Sequence, residues 1–241
     1  MGYILDMKCN PQVKVNHTAS LRVRRQVWLA WVVLAAAYQS VHGVSPGTHE
    51  LASVLERTGD SRHGKELFDT CAACHASDGA GQKDGTVPAI AAQHYRVVAG
   101  ALVNFRHEER RDERMEHFSN EHHLSGPQEI ADVATYITRL PPTQSLGHGD
   151  GRYTQLGAEV YRRECARCHG LSGEGNDRKS YPKLAGQHYE YLLRQLRDAG
   201  LNVRPNLSAE HIRLLHSLKD NDLVATCDYL SRLGPARAPQ P

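Results

Sequence analysis

Cys71-Ala-Ala-Cys74-His75 and a second pentapeptide of the same form, Cys165-Ala-Arg-Cys168-His169, are the most informative stretches of this 241-residue chain. Two cysteines at this spacing also occur in disulfides, redox dithiols and zinc sites. A histidine directly after the second cysteine is typical of covalent haem attachment, in which both thiols form thioethers and the imidazole binds the iron. We therefore predict two covalently bound c-type haems. The attachment residues are Cys71, Cys74, Cys165 and Cys168, and the proximal iron ligands are His75 and His169.

An internal repeat surrounds the two pentapeptides. Adding 94 to each residue number maps residues 71–124 onto 165–218 without a gap. Within this stretch Pro88-Ala-Ile-Ala-Ala-Gln-His-Tyr95 becomes Pro182-Lys-Leu-Ala-Gly-Gln-His-Tyr189. A repeat of this kind predicts two copies of one structural unit, and here each copy contains one haem motif.

The apolar periodicity of both copies predicts helices. No run of alternating β-branched residues is present, so we expect an all-α fold with almost no sheet. We place the first haem domain at residues 44–140, a linker rich in Pro and Gly at 141–151, and the second haem domain at 152–241. The predicted helices begin at Gly64 and Gly157 ahead of the haem motifs, and continue at 93–107, 187–199, 128–140 and 222–233.

This order of motifs resembles class I cytochrome c domains in tandem, in the dihaem arrangement of the c-four group. The resemblance covers residues 60–233, and Pro182-Lys-Leu-Ala-Gly-Gln187 is its most specific stretch. It implies a few helices wrapped around each haem, two domains related by a pseudo-twofold axis, and electron transfer in the periplasm. It also implies that the carbonyls of Pro88 and Pro182 hold the outer ring nitrogens of the proximal histidines.

The distal iron ligand is where the chain departs from the family. Domains of this family usually supply a Met shortly before the final helix, whereas this chain has only three methionines, Met1, Met7 and Met115. His117 and His211 are repeat partners, and each lies 42 residues beyond its proximal histidine. Our hypothesis is that both replace the family Met, which would give two haems with paired imidazole ligands.

Other distal ligands are open at this stage. Met115 could bind the first iron; its repeat partner is Ala209, so the two haems would then be unlike. His122 and His216 form another repeated pair. The repeated His94 and His188 are expected to pack or hydrogen bond. The remaining histidines without repeat partners are expected at the surface: His49, His63, His107, His123 and His148.

The N-terminus has the order of a secretory signal peptide. Residues 21–25 are basic, residues 27–37 are apolar, and Val41-His42-Gly43 offers a cleavage site. We therefore predict a signal at residues 1–43, cleavage near Gly43 and a periplasmic protein. Without those residues, which carry five basic and one acidic side chain, 24 basic and 26 acidic side chains remain. A nucleic-acid-binding protein normally has a basic excess, so no nucleic-acid partner is expected.

These features favour an electron carrier over an enzyme. Two imidazoles on one iron stabilise its ferric state and lower its potential, and they leave no coordination position for a substrate. We expect outer-sphere transfer between a donor and an acceptor redox protein, such as a membrane-bound oxidase or reductase, and no small-molecule substrate. The alternatives are a peroxidase-like or thiosulfate-oxidising haem enzyme, or the electron-transfer subunit of a larger oxidoreductase.

Overall fold

Helices account for the regular structure of residues 45–201, 204 and 206–234, which are the residues that the computed structural model describes. Within these residues there is no β-strand and one isolated bridge, Asn176 with Tyr181, so the all-α prediction is confirmed. The predicted signal at residues 1–43 lies outside the described residues. None of the described helices has the length and apolar character needed to cross a membrane.

Five helices belong to each copy of the repeat. In the first copy they are α1 Pro46–Leu55, α2 Ser61–His75, α3 Tyr95–Arg106, α4 Glu113–Ser119 and α5 Pro127–Arg139. In the second they are α6 Thr154–Val160, α7 Ala166–His169, α8 Tyr189–Gly200, α9 Ala209–Ser217 and α10 Asp220–Arg232. The helices predicted at 93–107, 128–140, 187–199 and 222–233 differ from α3, α5, α8 and α10 by no more than two residues at either end.

Each copy brings the helix that leads into its haem motif across its final helix at a glycine. A Cβ on Gly64 of α2 would lie 2.0 Å from the carbonyl oxygen of Asp132, and a Cβ on Gly157 of α6 would lie 2.0 Å from that of Ala225. Only a residue without a side chain permits so close an approach of two backbones. The same crossing is therefore built twice.

One turn after each glycine, an aromatic pair completes the crossing. The rings of Phe68 and Tyr136 lie 5.2 Å apart in the first copy, and those of Tyr161 and Tyr229 lie 5.7 Å apart in the second. Aromatic pairs at such separations contribute about 0.5–1.5 kcal/mol beyond the area that they bury.

Gly157 supplies a stability prediction. Gly157→Ala should lower the free energy of unfolding of the second copy by about 3 kcal/mol, because its methyl group can be accommodated only by separating α6 from α10. Gly100→Ala, inside α3 with its nearest neighbour 3.8 Å from the new Cβ, is the matched control and should stabilise by about 0.5–1 kcal/mol. Guanidinium unfolding followed by far-UV circular dichroism measures both; equal effects would contradict the crossing.

A π-helical turn at Tyr161–Cys165 absorbs an extra residue in the second copy. Three residues separate Phe68 from Cys71 in number, whereas four separate Tyr161 from Cys165. A single π turn inserts one residue into a helix without ending it. The second haem motif therefore keeps its place after the aromatic residue, as in the first copy.

Two glutamines join the copies through the same contact made twice. Buried Gln187 donates from Nε2 to the carbonyl of Ala89 at 2.7 Å and accepts from the Ala89 amide at 3.0 Å. Gln93 makes the equivalent pair with Lys183, at 3.0 Å and 2.9 Å. Since the offset of 94 relates both glutamines and both backbone partners, the contact has pseudo-twofold symmetry.

The repeated histidines next to the glutamines extend this interface. His94 Nε2 donates to the carbonyl of Glu174, and buried His188 Nε2 donates to that of Ala80, both at 2.8 Å. His188 also accepts the Gly147 amide at Nδ1, at 3.1 Å. These two histidines therefore hydrogen bond between the copies, as expected.

Candidate haem sites

The proximal histidines end the helices that carry the cysteines. His75 is the last residue of α2 and His169 the last of α7. Each Nδ1–H donates to a proline carbonyl 3.0 Å away, from His75 to Pro88 and from His169 to Pro182, which confirms the contact implied by the resemblance. With Nδ1 engaged as a donor, Nε2 carries the free lone pair of each ring. The fold therefore presents Nε2 of both rings to a metal.

Burial prepares both imidazoles for metal binding. It lowers the pKa of His75 and of His169 below the ordinary value, because the charged form loses its hydration. The neutral imidazole is the form that binds iron. Burial therefore favours, in both rings, the neutral imidazole that can bind iron.

The cysteines do not have the character of reactive thiols. Burial raises the pKa of Cys71 and of Cys165 to about 11. A redox dithiol needs a lowered pKa, because the thiolate is the nucleophile. Cys71 and Cys165 therefore lack the activated thiolate of a redox dithiol. Cys227, outside the haem motifs, is fully buried in the second core, where it packs as a small apolar residue.

In the second copy a distal imidazole faces the proximal one. The ring centroids of His169 and His211 are 6.2 Å apart. Two imidazoles that bind one metal through nitrogen at about 2 Å place their ring centroids about 6 Å apart. Burial, and then the charges of His169 and Arg204, lowers the pKa of His211, so this ring too is neutral.

Arg204 gives a second indication of what the site accepts. Its Nε is buried and has no hydrogen-bond partner among the described residues. Burial, and after it the positive charge of Arg110, lowers the pKa of Arg204 to about 10. A buried guanidinium without an anion is costly, and each haem carries two propionate groups. The residues of the second copy therefore fit a haem.

In the first copy the structure does not bring His117 to the proximal side chain. His117 is exposed, and its ring partners are Phe118 at 5.0 Å between centroids and His123, whose Nε2 lies 3.2 Å from its own. Met115 is half-buried and packs against the first hydrophobic core, to which Cys71 also belongs at its edge. The structure therefore differs here from the hypothesis drawn from the repeat.

The alternative repeated pair lies at the surface. His122 and His216 are both exposed, and His216 Nε2 donates to the carbonyl of Gly200 at 2.5 Å. Nothing in these contacts directs either ring toward a proximal histidine.

A family model described as cytochrome c matches residues 61–141 and, a second time, residues 154–233. The chain belongs to the cytochrome c family. Each matched segment of this tandem cytochrome c contains one complete haem motif, so the prediction of two covalent c-type haems is confirmed. The prediction of a dihaem electron-transfer protein is confirmed with it.

Individual relatives match two thirds or more of the chain. Cytochrome c4 of Azotobacter vinelandii is 28% identical over 218 residues, covering 76% of this chain and 93% of the relative. The thiosulfate dehydrogenase electron acceptor of Stutzerimonas stutzeri is 27% identical over 176 residues, covering 68% and 79%. The crystal structure of reduced cytochrome c4 from Pseudomonas stutzeri superposes with a TM-score of 0.65 at 26% identity, covering 73% of this chain and all of that one.

Proposed function

We propose that this tandem cytochrome c is a periplasmic carrier that takes electrons from one redox protein and passes them to another, without acting on a small molecule itself. The observation that carries the proposal is the facing pair His169 and His211. His169 and His211 would hold a bound haem iron from either side, which would leave no coordination position for a substrate.

The chain's own residues keep each site unchanged during electron transfer. Bound haem iron would supply the one-electron change between ferric and ferrous states. The proline carbonyls hold His75 and His169 in fixed orientation, and His75 is buried. A site that is rigid in both states needs little rearrangement, which suits a carrier.

The interface supports transfer between the copies. The peptide unit that joins Pro88 to Ala89 accepts from His75 through its carbonyl and donates to Gln187 through its amide. The unit that joins Pro182 to Lys183 does the same for His169 and Gln93. One peptide plane therefore links each proximal ring to the other copy.

A relative's name suggests the redox partners of this chain, and the N-terminal sequence suggests its compartment. The relative from Stutzerimonas stutzeri is named as an electron acceptor of thiosulfate dehydrogenase. By analogy, this chain would accept electrons from a dehydrogenase and pass them to a membrane-bound oxidase or reductase. The order of basic, apolar and small residues over 21–43 supports export to the periplasm.

Carbon monoxide tests the proposal with the full-length, haem-loaded protein. We expect the spectrum of the reduced wild-type protein to remain nearly unchanged under carbon monoxide, because a protein ligand on each side of a bound iron would leave no open position. His211→Ala should open the second haem and bind the gas at once, whereas the exposed control His216→Ala should behave as wild type. Rapid binding by the wild-type protein would contradict the carrier and favour a haem enzyme.

A further inference from the structure

We propose that the two haems have unlike axial ligands, His75 with Met115 in the first copy and His169 with His211 in the second. The inference rests on the proposed function, because it gives the carrier two different sites. In each copy a short helix, α4 or α9, precedes the final helix and carries the residue that we assign as the distal ligand.

The caps of these helices establish which residues correspond in space. Asp112 is the N-cap of α4, and its carboxylate accepts from the amides of Arg114 and Met115 at 3.1 Å and 3.3 Å. Ser208 is the N-cap of α9, and its hydroxyl accepts from the amide of His211 at 3.2 Å. Met115 and His211 are both the third residue after the cap. In a helix, residues at the same distance from the cap point in the same direction relative to its start.

A difference in loop length explains why the repeat offset misleads here. The segment from α3 to α4 is residues 107–112, whereas the segment from α8 to α9 is residues 201–208, two residues longer. The offset between the copies is therefore 96 at these helices, although it is 94 at the haem motifs. With an offset of 96 the partner of His117 is Arg213.

The burial of the side chains agrees with an offset of 96 between α4 and α9. Met115 and His211 are both half-buried, and Met115 packs against the first core. His117 and Arg213 are both exposed. Each helix thus turns its third residue inward and its fifth residue to solvent.

The unlike ligands determine which haem is the easier to reduce. A Met thioether raises the potential of a haem relative to a second imidazole. The first haem therefore has the higher potential and holds the electron longer, and transfer within the molecule runs from the second copy to the first.

The ferric absorption spectrum of the haem-loaded protein tests this ligand set. We expect the red charge-transfer band of Met–iron ligation at the strength of one haem in two, with haem content measured separately. Met115→Leu should lose the band, and the matched His117→Leu should keep it. If Met115→Leu retains fewer than two haems, Met115→His replaces it and should lose the band with two haems present.

Two results would overturn the ligand set. They are a wild-type protein without the band, or loss of the band in His117→Leu. Neither would alter the carbon monoxide result, since a carrier with two bis-imidazole haems is also closed. The spectrum can therefore disprove the unlike ligands without disproving the proposed function as an electron carrier.

A separate observation makes Gln93 and Gln187 positioning residues for the haem of the opposite copy. The amide of Ala89 donates to Gln187 while the carbonyl of the same peptide unit accepts from His75. Hydrogen bonds at both ends of one peptide unit strengthen each other. We infer that Gln187 makes Pro88 a better acceptor, increases the electron density on His75 and lowers the potential of the first haem.

The test is a crossed pair of variants with potential as the readout. Gln187→Leu should raise the potential of the first haem, and Gln93→Leu that of the second, with haem methyl resonances in NMR identifying each haem. A loss of packing alone would act on the copy that carries the substitution. A shift confined to that copy, or no shift in either variant, would therefore overturn the inference.

Discussion

Replacing Cys165 and Cys168 together with alanine is expected to leave one haem per chain and an unfolded second copy. Among the residues that the structure describes, the buried part of the second core consists of nine residues, against thirteen in the first. The smaller core depends more on the apolar surface that a bound haem contributes, since burial of such surface supplies most of the stability of a domain. Loss of the two thioethers removes that contribution.

Haem content and hydrogen exchange measure this result. The double variant should contain half the haem of the wild-type protein, and amides of α8 and α10 should lose protection while those of α3 and α5 keep it. Cys227→Ala is the matched control, since Cys227 is buried in the same core but lies outside the haem motif. A double variant with two haems, or with a protected second copy, would contradict the assignment.

Replacing His211 with methionine is expected to give the second largest effect, a rise in the potential of the second haem. The axial ligands set haem potentials over a range of about 0.8 V, and a thioether lies on the high side of an imidazole. His211 faces His169 at 6.2 Å between ring centroids, so a substitution at this residue changes the ligand directly.

The His211→Met spectrum should change with the potential. The red Met–iron band should double in strength, because both haems would then have a thioether ligand. His216→Met is the control, since His216 is exposed on the same helix and bonds to the carbonyl of Gly200. An unchanged potential in His211→Met, with a change in His216→Met, would assign the distal role to His216 instead.

The haem motifs and their proline partners could be predicted from the sequence because each is a local pattern within one repeat. The offset of 94 places Pro182 where Pro88 is, and both carbonyls lie 3.0 Å from their histidines. The long amphipathic helices were equally accessible, since their apolar period extends over three or more turns. Short helices such as α1, α4 and α9 contain too few apolar residues to show a period.

The distal side of the first site could not be predicted from the same offset. The two extra residues before α9 are compensated between that helix and the final one, so the sequences align without a gap on both sides of the shift. Only the N-caps, Asp112 and Ser208, reveal it. The offset therefore pairs His117 with His211, whereas the fold pairs Met115 with His211.

Contacts between histidines and distant carboxylates were also inaccessible from the sequence. His63 was expected at the surface, but its Nδ1 lies 2.8 Å from the buried carboxylate of Asp132, which raises the pKa of His63. His107 pairs with Glu50 at 2.7 Å. Both partners are more than fifty residues away in the chain, where neither periodicity nor the repeat relates them.

A redox titration of the haem-loaded wild-type protein, followed by absorption across the visible and red range, tests whether the two haems have unlike distal ligands. It should resolve two one-electron steps. The red Met–iron band should disappear on reduction in the step of higher potential alone, because only the first haem would have Met115 as a ligand. Two steps that both change the band, or a single step with no band, would contradict it.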